Sequence, residues 1–235
     1  MKTDPSSPIV ILTGAGISAE SGLATFRDQG GLWEGHSIED VATPRGFHKN
    51  PDLVFDFYNM RRAEAAKARP NAAHNALAAL ENAWEGDFLL ITQNVDDLHE
   101  KAGSKRVLHM HGRLNSALCH ECGSHQHWEG DLDRDCFCTS CSRPALRPDI
   151  VWFGEMPYDM DAIEEALGNA ALFVAIGTSG TVYPAAGFVM AAASAGARTV
   201  EINLEATGND LFREHVTGSA STAVPAFVNM LLGKA

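Results

Sequence analysis

The chain has 235 residues, 45% of them hydrophobic and 20% charged, a globular composition long enough for one sizeable core with a smaller inserted lobe. Its formal net charge of -12 repels phosphate backbones and anionic lipid, and no local basic patch offsets it, so neither nucleic acid nor a membrane surface is an expected partner. The start, Met1-Lys2-Thr3-Asp4-Pro5, lacks the apolar stretch and cleavage site of a secretory signal, and a cytoplasmic location is expected.

Ile9 to Leu12 reads as a first strand, followed by Thr13-Gly14-Ala15-Gly16-Ile17-Ser18-Ala19-Glu20-Ser21-Gly22. That turn matches G-x-G-x-x-A, whose small residues let backbone amides approach a pyrophosphate at a helix start. Alone the match is weak, and a tight turn without a ligand would explain it as well. A hydride-transfer dehydrogenase would continue through a helix into a second strand ending in an acidic residue about 20 positions on. Here the chain runs from Thr25 through Phe26, Arg27, Asp28, Gln29, Gly30 and Gly31 to Leu32 and Trp33, polar and broken by glycine. This is the pattern of a loop that closes over a ligand, with Arg27 available for phosphate and Phe26 for a ring face.

Residues 35–70 are rich in helix formers, and a helix over Asp52 to Arg62 puts Tyr58 and Arg61, three apart, on one face. A guanidinium binds a carboxylate bidentately and a phenol adds a third hydrogen bond, so the pair suits a small anion; taken alone, a solvated helix face explains it better. After a helical segment over Ala72 to Trp84, the strand Phe88 to Thr92 runs into Gln93-Asn94-Val95-Asp96, and the strand Val107 to His109 into Met110-His111-Gly112-Arg113. Open α/β sheets bind ligands beyond the carboxyl ends of their strands, where these amides, carboxylate and imidazole would converge. Singly, Asn94 or Asp96 also reads as a helix cap and His111 as a turn residue.

All five cysteines lie between Cys119 and Cys141. Cys119-His120-Glu121-Cys122 and Cys138-Thr139-Ser140-Cys141 form two C-x-x-C knuckles at the spacing of a four-thiolate zinc site, which is closed to water and therefore structural. Cys119, Cys122, Cys138 and Cys141 are the expected ligands; Cys136 is a fifth candidate that spacing does not exclude, and His120, His125 and His127 read as surface residues. The ribbon carries Glu121, Glu129, Asp131, Asp133 and Asp135 against Arg134 and Arg143, the wrong sign for phosphate contacts. The uncharged run from Ala166 to Ala197 is long enough to cross a bilayer, but Gly177 to Thr181 and Tyr183-Pro184 break it into a strand, Leu172 to Ile176, and a helix, Tyr183 to Ser194. With a last strand over Thr199 to Asn203, the alternation predicts an α/β fold: a Rossmann-like doubly wound parallel sheet with a smaller inserted helical and zinc-ribbon lobe. The expected division is 1–34, 71–112 and 153–235 for the nucleotide-binding body, with 35–70 and 113–152 as the small lobe.

Taken together, Gly14-Ala15-Gly16-Ile17-Ser18, Phe26-Arg27, Gln93-Asn94-Val95-Asp96, His111-Gly112, the paired knuckles, Gly177-Thr178-Ser179 and Asn203 resemble, in this order, the motifs of sirtuins, the NAD-dependent protein deacylases. The resemblance spans nearly the whole chain and is greatest to the bacterial class that is similar to desuccinylases. Thr25 departs from the Asp that many sirtuins carry before Phe-Arg. The resemblance implies a deacylase, acting as deacetylase and as desuccinylase or demalonylase, with NAD as co-substrate and one structural zinc per chain. It places the pyrophosphate at Gly14, Ala15, Gly16, Ile17 and Ser18, with Glu20, Phe26, Arg27 and Trp33 also at the cofactor. The adenosine side falls near Gly177, Thr178, Ser179, Asn203, Leu204, Glu205 and Ala220, and the nicotinamide end near Gln93, Asn94, Val95 and Asp96. His111, Asn94 and Asp96 are then catalytic, and Tyr58 and Arg61 meet an acidic acyl end. In such a reaction the acyl-lysine oxygen displaces nicotinamide, His111 accepts a ribose hydroxyl proton, and the acyl group leaves on ADP-ribose. The partner is an acylated lysine of another protein and the chain is expected to be a monomer. An ADP-ribosyltransferase or NAD hydrolase using the same site is the alternative.

Overall fold

The computed structural model describes residues 4–24, 32–33 and 35–234. Strand β1 (Ile9–Thr13) is followed by two 3-10 turns, Ala15–Ile17 and Ala19–Ser21, and then by a two-residue antiparallel pair, β2 (Leu32–Trp33) and β3 (His36–Ser37). The expected α-helix start after the glycine-rich turn is therefore absent: Ile17 N–H bonds to Gly14 O at 3.1 Å and Ser18 N–H to Ala15 O at 3.1 Å, three-residue closures rather than four. Three glycines within nine positions disfavour α-helix there, and Gly22, at φ 85°, ends the second turn in the left-handed region.

Three helices follow, α1 (Ile38–Val41), α2 (Pro44–Lys49) and α3 (Pro51–Lys67). Each of the last two opens with proline at its first position behind a side-chain cap, Thr43 accepting from Gly46 N–H and Asn50 from Leu53 N–H. Helix α4 (Ala72–Ala83) starts from a reciprocal cap in which Asn71 accepts from the helix and His74 accepts from Asn71 N–H. Then come β4 (Phe88–Thr92), α5 (Leu98–Lys101), β5 (Val107–His109), β6 (Gly112–Cys119), β7 (His125–His127), β8 (Leu146–Ile150) and α6 (Met160–Asn169). The chain ends with β9 (Leu172–Ile176), α7 (Phe188–Ser194), β10 (Arg198–Asn203), β11 (Glu214–Thr217) and α8 (Ala220–Leu231).

Six strands form one parallel sheet in the order β11-β10-β9-β1-β4-β5. In chain order of the six this is the doubly wound arrangement, and it reverses between β1 and β9. Strand periodicity divides the core: Ile9 and Ile11 face a cluster with Leu77 and Leu80 of α4 and Val224, Phe227 and Val228 of α8, while Val10 and Leu12 face Ile163 and Leu167 of α6 and Phe188 and Val189 of α7. The uncharged run is thus β9 plus α7, and among the described residues no helix is long and apolar enough to cross a membrane.

Helices α1 and α3 pack instead on the antiparallel sheet β7-β6-β8 through Val41, Val54, Phe57, Tyr58, Leu114, Ile150 and Trp152. A separate small cluster of Phe55, Ala117, Leu132, Ala145 and Leu146 lies beside the cysteines.

Candidate active site

The strand-order reversal opens a crevice at the carboxyl ends of β1 and β9, and the two loops that leave these strands touch. Gly16 N–H donates to Gly177 O at 2.8 Å, and a Cβ on Gly16 would stand 2.7 Å from both Cα and O of Gly177. The glycines therefore serve first to let two backbones meet; no larger residue at position 16 fits without moving the β9 loop. Around this contact lies a cavity of about 740 Å³, within the range of small-molecule sites, lined by Gly14, Ala15, Gly16, Ser18, Gln93, Asn94, Val95, Asp96, His111, Gly177, Thr178, Ser179, Asn203, Leu204 and Ala220 among others. Residues from six separate segments of the sequence thus converge on one space.

Beyond β4 the polar side chains hold one another in a fixed order. Gln93 Nε2 donates to Thr178 Oγ1 at 3.0 Å, tying the β4 loop to the β9 loop. Asn94 Nδ2 donates to Gly14 O at 3.2 Å and to Ser18 Oγ at 3.1 Å, and Ser18 passes its own proton to Asp96 Oδ2 at 3.1 Å. Asp96 Oδ1 accepts Leu98 N–H at 3.0 Å, so the carboxylate also caps the first turn of α5. Burial raises the Asp96 carboxyl above its ordinary range, and the bonds from Leu98 and Ser18 partly oppose this.

His111 lies where β5 ends. Its placement depends on Gly112, which takes φ 82° and lies against the carbonyl of Asp149 where any side chain would clash. His111 Nδ1 is 3.1 Å from Gln93 O. A carbonyl oxygen only accepts, so Nδ1 carries the proton and Nε2 keeps its lone pair. Burial lowers the imidazole's pKa from its usual value, the Gln93 bond raising it in part. The site therefore holds a neutral histidine base across from an asparagine and a carboxylate.

Other assigned residues fall into different places. Asn203, at the end of β10, donates from Nδ2 to Thr178 O at 2.9 Å and fixes the loop bearing Leu204. Ile17 is buried in the core, so its part in the turn is packing. Glu20 is outside the set lining the cavity; its carboxylate accepts Ser221 N–H at 2.9 Å and Ser221 O–H at 2.6 Å at the start of α8. Glu205 is exposed and also outside that set. Phe26 and Arg27 lie outside the described residues. Trp33, Tyr58 and Arg61 line the same cavity, with the Arg61 guanidinium 5.2 Å from the Trp33 ring centre.

At the ribbon, Cys119, Cys122, Cys138 and Cys141 bring their sulfurs within 4.8 Å of one another. Cys119 and Cys141, and likewise Cys122 and Cys138, stand 3.7 Å apart, far too long for a disulfide. Four thiolates about 2.3 Å from a zinc ion at the centre of a tetrahedron would be about 3.8 Å from each other. The donor set fits zinc and leaves no open coordination position. Cys136 points elsewhere, its thiol donating to Asp133 Oδ1 at 3.1 Å, which removes it from the ligand set. His120, His125 and His127 are exposed and stand outside the cysteine cluster.

The profile of the Sir2 family matches residues 14–184. The chain belongs to the Sir2 family. An NAD-dependent protein deacylase of Bdellovibrio bacteriovorus is 59% identical over 228 residues, covering 95% of this chain and 96% of that one. A protein of the same name from Caulobacter vibrioides is 55% identical over 231 residues, covering 96% and 97%. Among solved structures, a Sir2 homolog in complex with NAD superposes with a TM-score of 0.87 at 37% identity, covering 96% of this chain and 89% of the other.

In this Sir2 family chain, sequence reasoning did not reach the buried support of the polar site. Asn71 N–H donates to His74 Nδ1 at 3.3 Å, which leaves the His74 proton on Nε2, 3.5 Å from Ser18 Oγ. Thr13 O–H donates to Thr92 Oγ1 at 2.9 Å and so accepts from His99 Nε2 at 3.0 Å, while Thr92 Oγ1 takes Asn94 N–H at 3.0 Å. Two neutral histidines, their rings 4.9 Å apart between centres and tilted by 56°, thus stand behind Ser18 and Asn94. The available signal was weak: His74 lies among the alanines and leucines of the Ala72 to Trp84 segment, and His99 lies between Leu98 and the charged Glu100 and Lys101. The wall made by Val151, Trp152, Phe153 and Gly154 was missed too, although an aromatic pair just past a strand end marks such a rim.

Proposed function

We propose that the chain is an NAD-dependent protein-lysine deacylase that moves the acyl group to ADP-ribose with release of nicotinamide, accepting acetyl and acidic acyl groups. One observation carries this reading: His111, whose Nε2 is left as the unprotonated nitrogen, lines the cavity that also holds Asn94 and Asp96 at the point where the strand order reverses. The names of the Bdellovibrio and Caulobacter relatives support it. The cavity suits NAD because Gly14, Ala15, Gly16 and Ser18 line one wall of it with backbone and small side chains, the kind of surface a pyrophosphate approaches.

Bound NAD would supply an electrophilic ribose carbon and nicotinamide as the leaving group, with the acyl-lysine oxygen as the attacking atom. Asn94 and Asp96, fixed by Ser18 and by the start of α5, orient and stabilise the nicotinamide end, where positive charge builds on the ribose. His111 is placed to accept a ribose hydroxyl proton on Nε2 and needs no prior deprotonation near neutral pH. Tyr58 and Arg61, which also line the cavity, read the free end of the acyl chain, a succinyl or malonyl carboxylate meeting a guanidinium and a phenol.

The test is nicotinamide release from NAD with and without acylated peptide. Release that requires the peptide supports the deacylase. Release that proceeds without it favours an NAD hydrolase or ADP-ribosyltransferase.

A further inference from the structure

The Tyr58 phenol, an acyl contact beside Arg61 in the function proposed above, is held by its own buried partners. Tyr58 is 1% exposed, and among the described residues its oxygen has one hydrogen-bond partner, Trp152 Nε1 at 3.1 Å. An indole N–H only donates, so the phenol oxygen accepts there and its own proton remains for another acceptor. Burial holds the phenol above its usual range, which keeps that proton in place at neutral pH.

The indole is itself clamped. The Arg147 guanidinium lies 4.0 Å from the Trp152 ring centre, and the Phe47 ring stands 5.2 Å away. Glu155 holds Arg147 through two contacts, Nη1 to Oε1 at 2.8 Å and Nη2 to Oε2 at 2.9 Å. The same Oε2 accepts Trp152 N–H at 2.9 Å, so one carboxylate fixes both the backbone and the stacking cation of Trp152. A cation on the face of the ring draws electron density from it and makes the indole N–H a better donor.

We propose that Trp152, clamped by Arg147 and Glu155, is a specificity-positioning residue for the acyl end of the substrate. Its N–H fills the acceptor side of the Tyr58 hydroxyl, so the pocket offers an anionic acyl terminus the phenol proton beside the Arg61 guanidinium. The pocket then presents donors and a cation at this point, which selects a carboxylate over an uncharged methyl or an acyl end that carries donors. This rests on the acyl reading of Tyr58 and Arg61.

The experiment compares kcat/KM for succinyl-lysine and acetyl-lysine peptides in the wild type, Trp152→Phe, Tyr58→Phe, the double variant and Arg61→Met. Phenylalanine keeps a ring against Arg147 and removes the N–H. Trp152→Phe is expected to lower the succinyl-to-acetyl ratio roughly fivefold, the size of one net hydrogen bond, and by less than about twofold when Tyr58 is already Phe. Equal losses in both backgrounds would assign Trp152 to packing alone and overturn the proposal. A ratio that falls in Tyr58→Phe and Arg61→Met but not in Trp152→Phe would overturn it while leaving the acyl reading intact. A ratio unmoved by all three removes the acyl reading and the proposal together. Should Trp152→Phe fail to fold, Arg147→Lys, which keeps the charge and loses the planar stack, decides: a smaller fall in the same ratio, dependent on Tyr58, supports the proposal and an unchanged ratio overturns it.

Discussion

Ser18 donates to Asp96 Oδ2 at 3.1 Å while accepting from Asn94 Nδ2 at 3.1 Å, so one hydroxyl from the β1 loop orders both polar groups beyond β4. Removing it in Ser18→Ala leaves a buried carboxylate with one fewer donor and an amide with one fewer acceptor, a loss of about 1–3 kcal/mol. If that loss falls on the transition state, deacylation kcat/KM is expected to drop by roughly 5- to 150-fold. The Asp96 carboxyl, already raised by burial, should rise further, and the pH profile of the variant should lose activity at higher pH than the wild type. A profile and rate unchanged from wild type would show that Ser18 does not order the site.

The pH dependence of the wild type follows from His111. Burial lowers its pKa below the ordinary 6.5, and the base is the neutral form, so activity should persist as the pH falls past 6.5 and be lost only below it. Measured kcat/KM from pH 5 to 8 checks this; half-loss of activity above pH 6.5 would contradict the assignment.

Acid should also destabilise the fold through the paired histidines. Burial lowers His74 from 6.5 to about 4 and drives His99 well below its usual value, the charge of His74 acting in the same direction on His99. Between those limits the unfolded chain binds protons that the folded one refuses, so stability rises with pH across the window and is lost as pH falls from 6.5 toward 4. His74 alone contributes about 3 kcal/mol over that range. Denaturant melts of wild type and His74→Gln at several pH values test it; the wild-type slope should flatten in the variant.

Zinc removal should loosen the ribbon and spare the parallel sheet. Cys119 and Cys138 sit beside the small core of Phe55, Leu132 and Leu146, and without metal their thiolates lose the ion that neutralises them. Chelation is expected to release one zinc per chain and to raise proteolytic cleavage within 113–152, while hydrogen exchange in β1, β4 and β9 stays slow. Cys136→Ser should keep its zinc and Cys138→Ser should lose it.

Apolar runs and knuckle spacing made much of the fold legible. Ile9 to Leu12, Phe88 to Thr92 and Leu172 to Ile176 are each followed by glycine or polar residues and form central strands. β11 was not legible because Glu214 and His215 face solvent at a sheet edge and the strand has only one partner, β10. The glycine-rich turn closes in two 3-10 turns and not an α-helix, since the G-x-G pattern constrains backbone approach and not helix length. Gln93, Asn94, Asp96 and His111 could be grouped because each follows a strand end. The supports, Thr13, His74, His99 and Trp152, are ordinary core residues in the sequence and gain their roles from partners 56 to 94 positions away.

The central claim is tested most directly by mass spectrometry of acetyl-lysine and succinyl-lysine peptides incubated with the protein, with and without NAD, beside His111→Ala. Acyl loss that requires NAD, yields acylated ADP-ribose and vanishes in His111→Ala is the predicted result. Acyl loss without NAD, or NAD consumption with both peptides left intact, would contradict it.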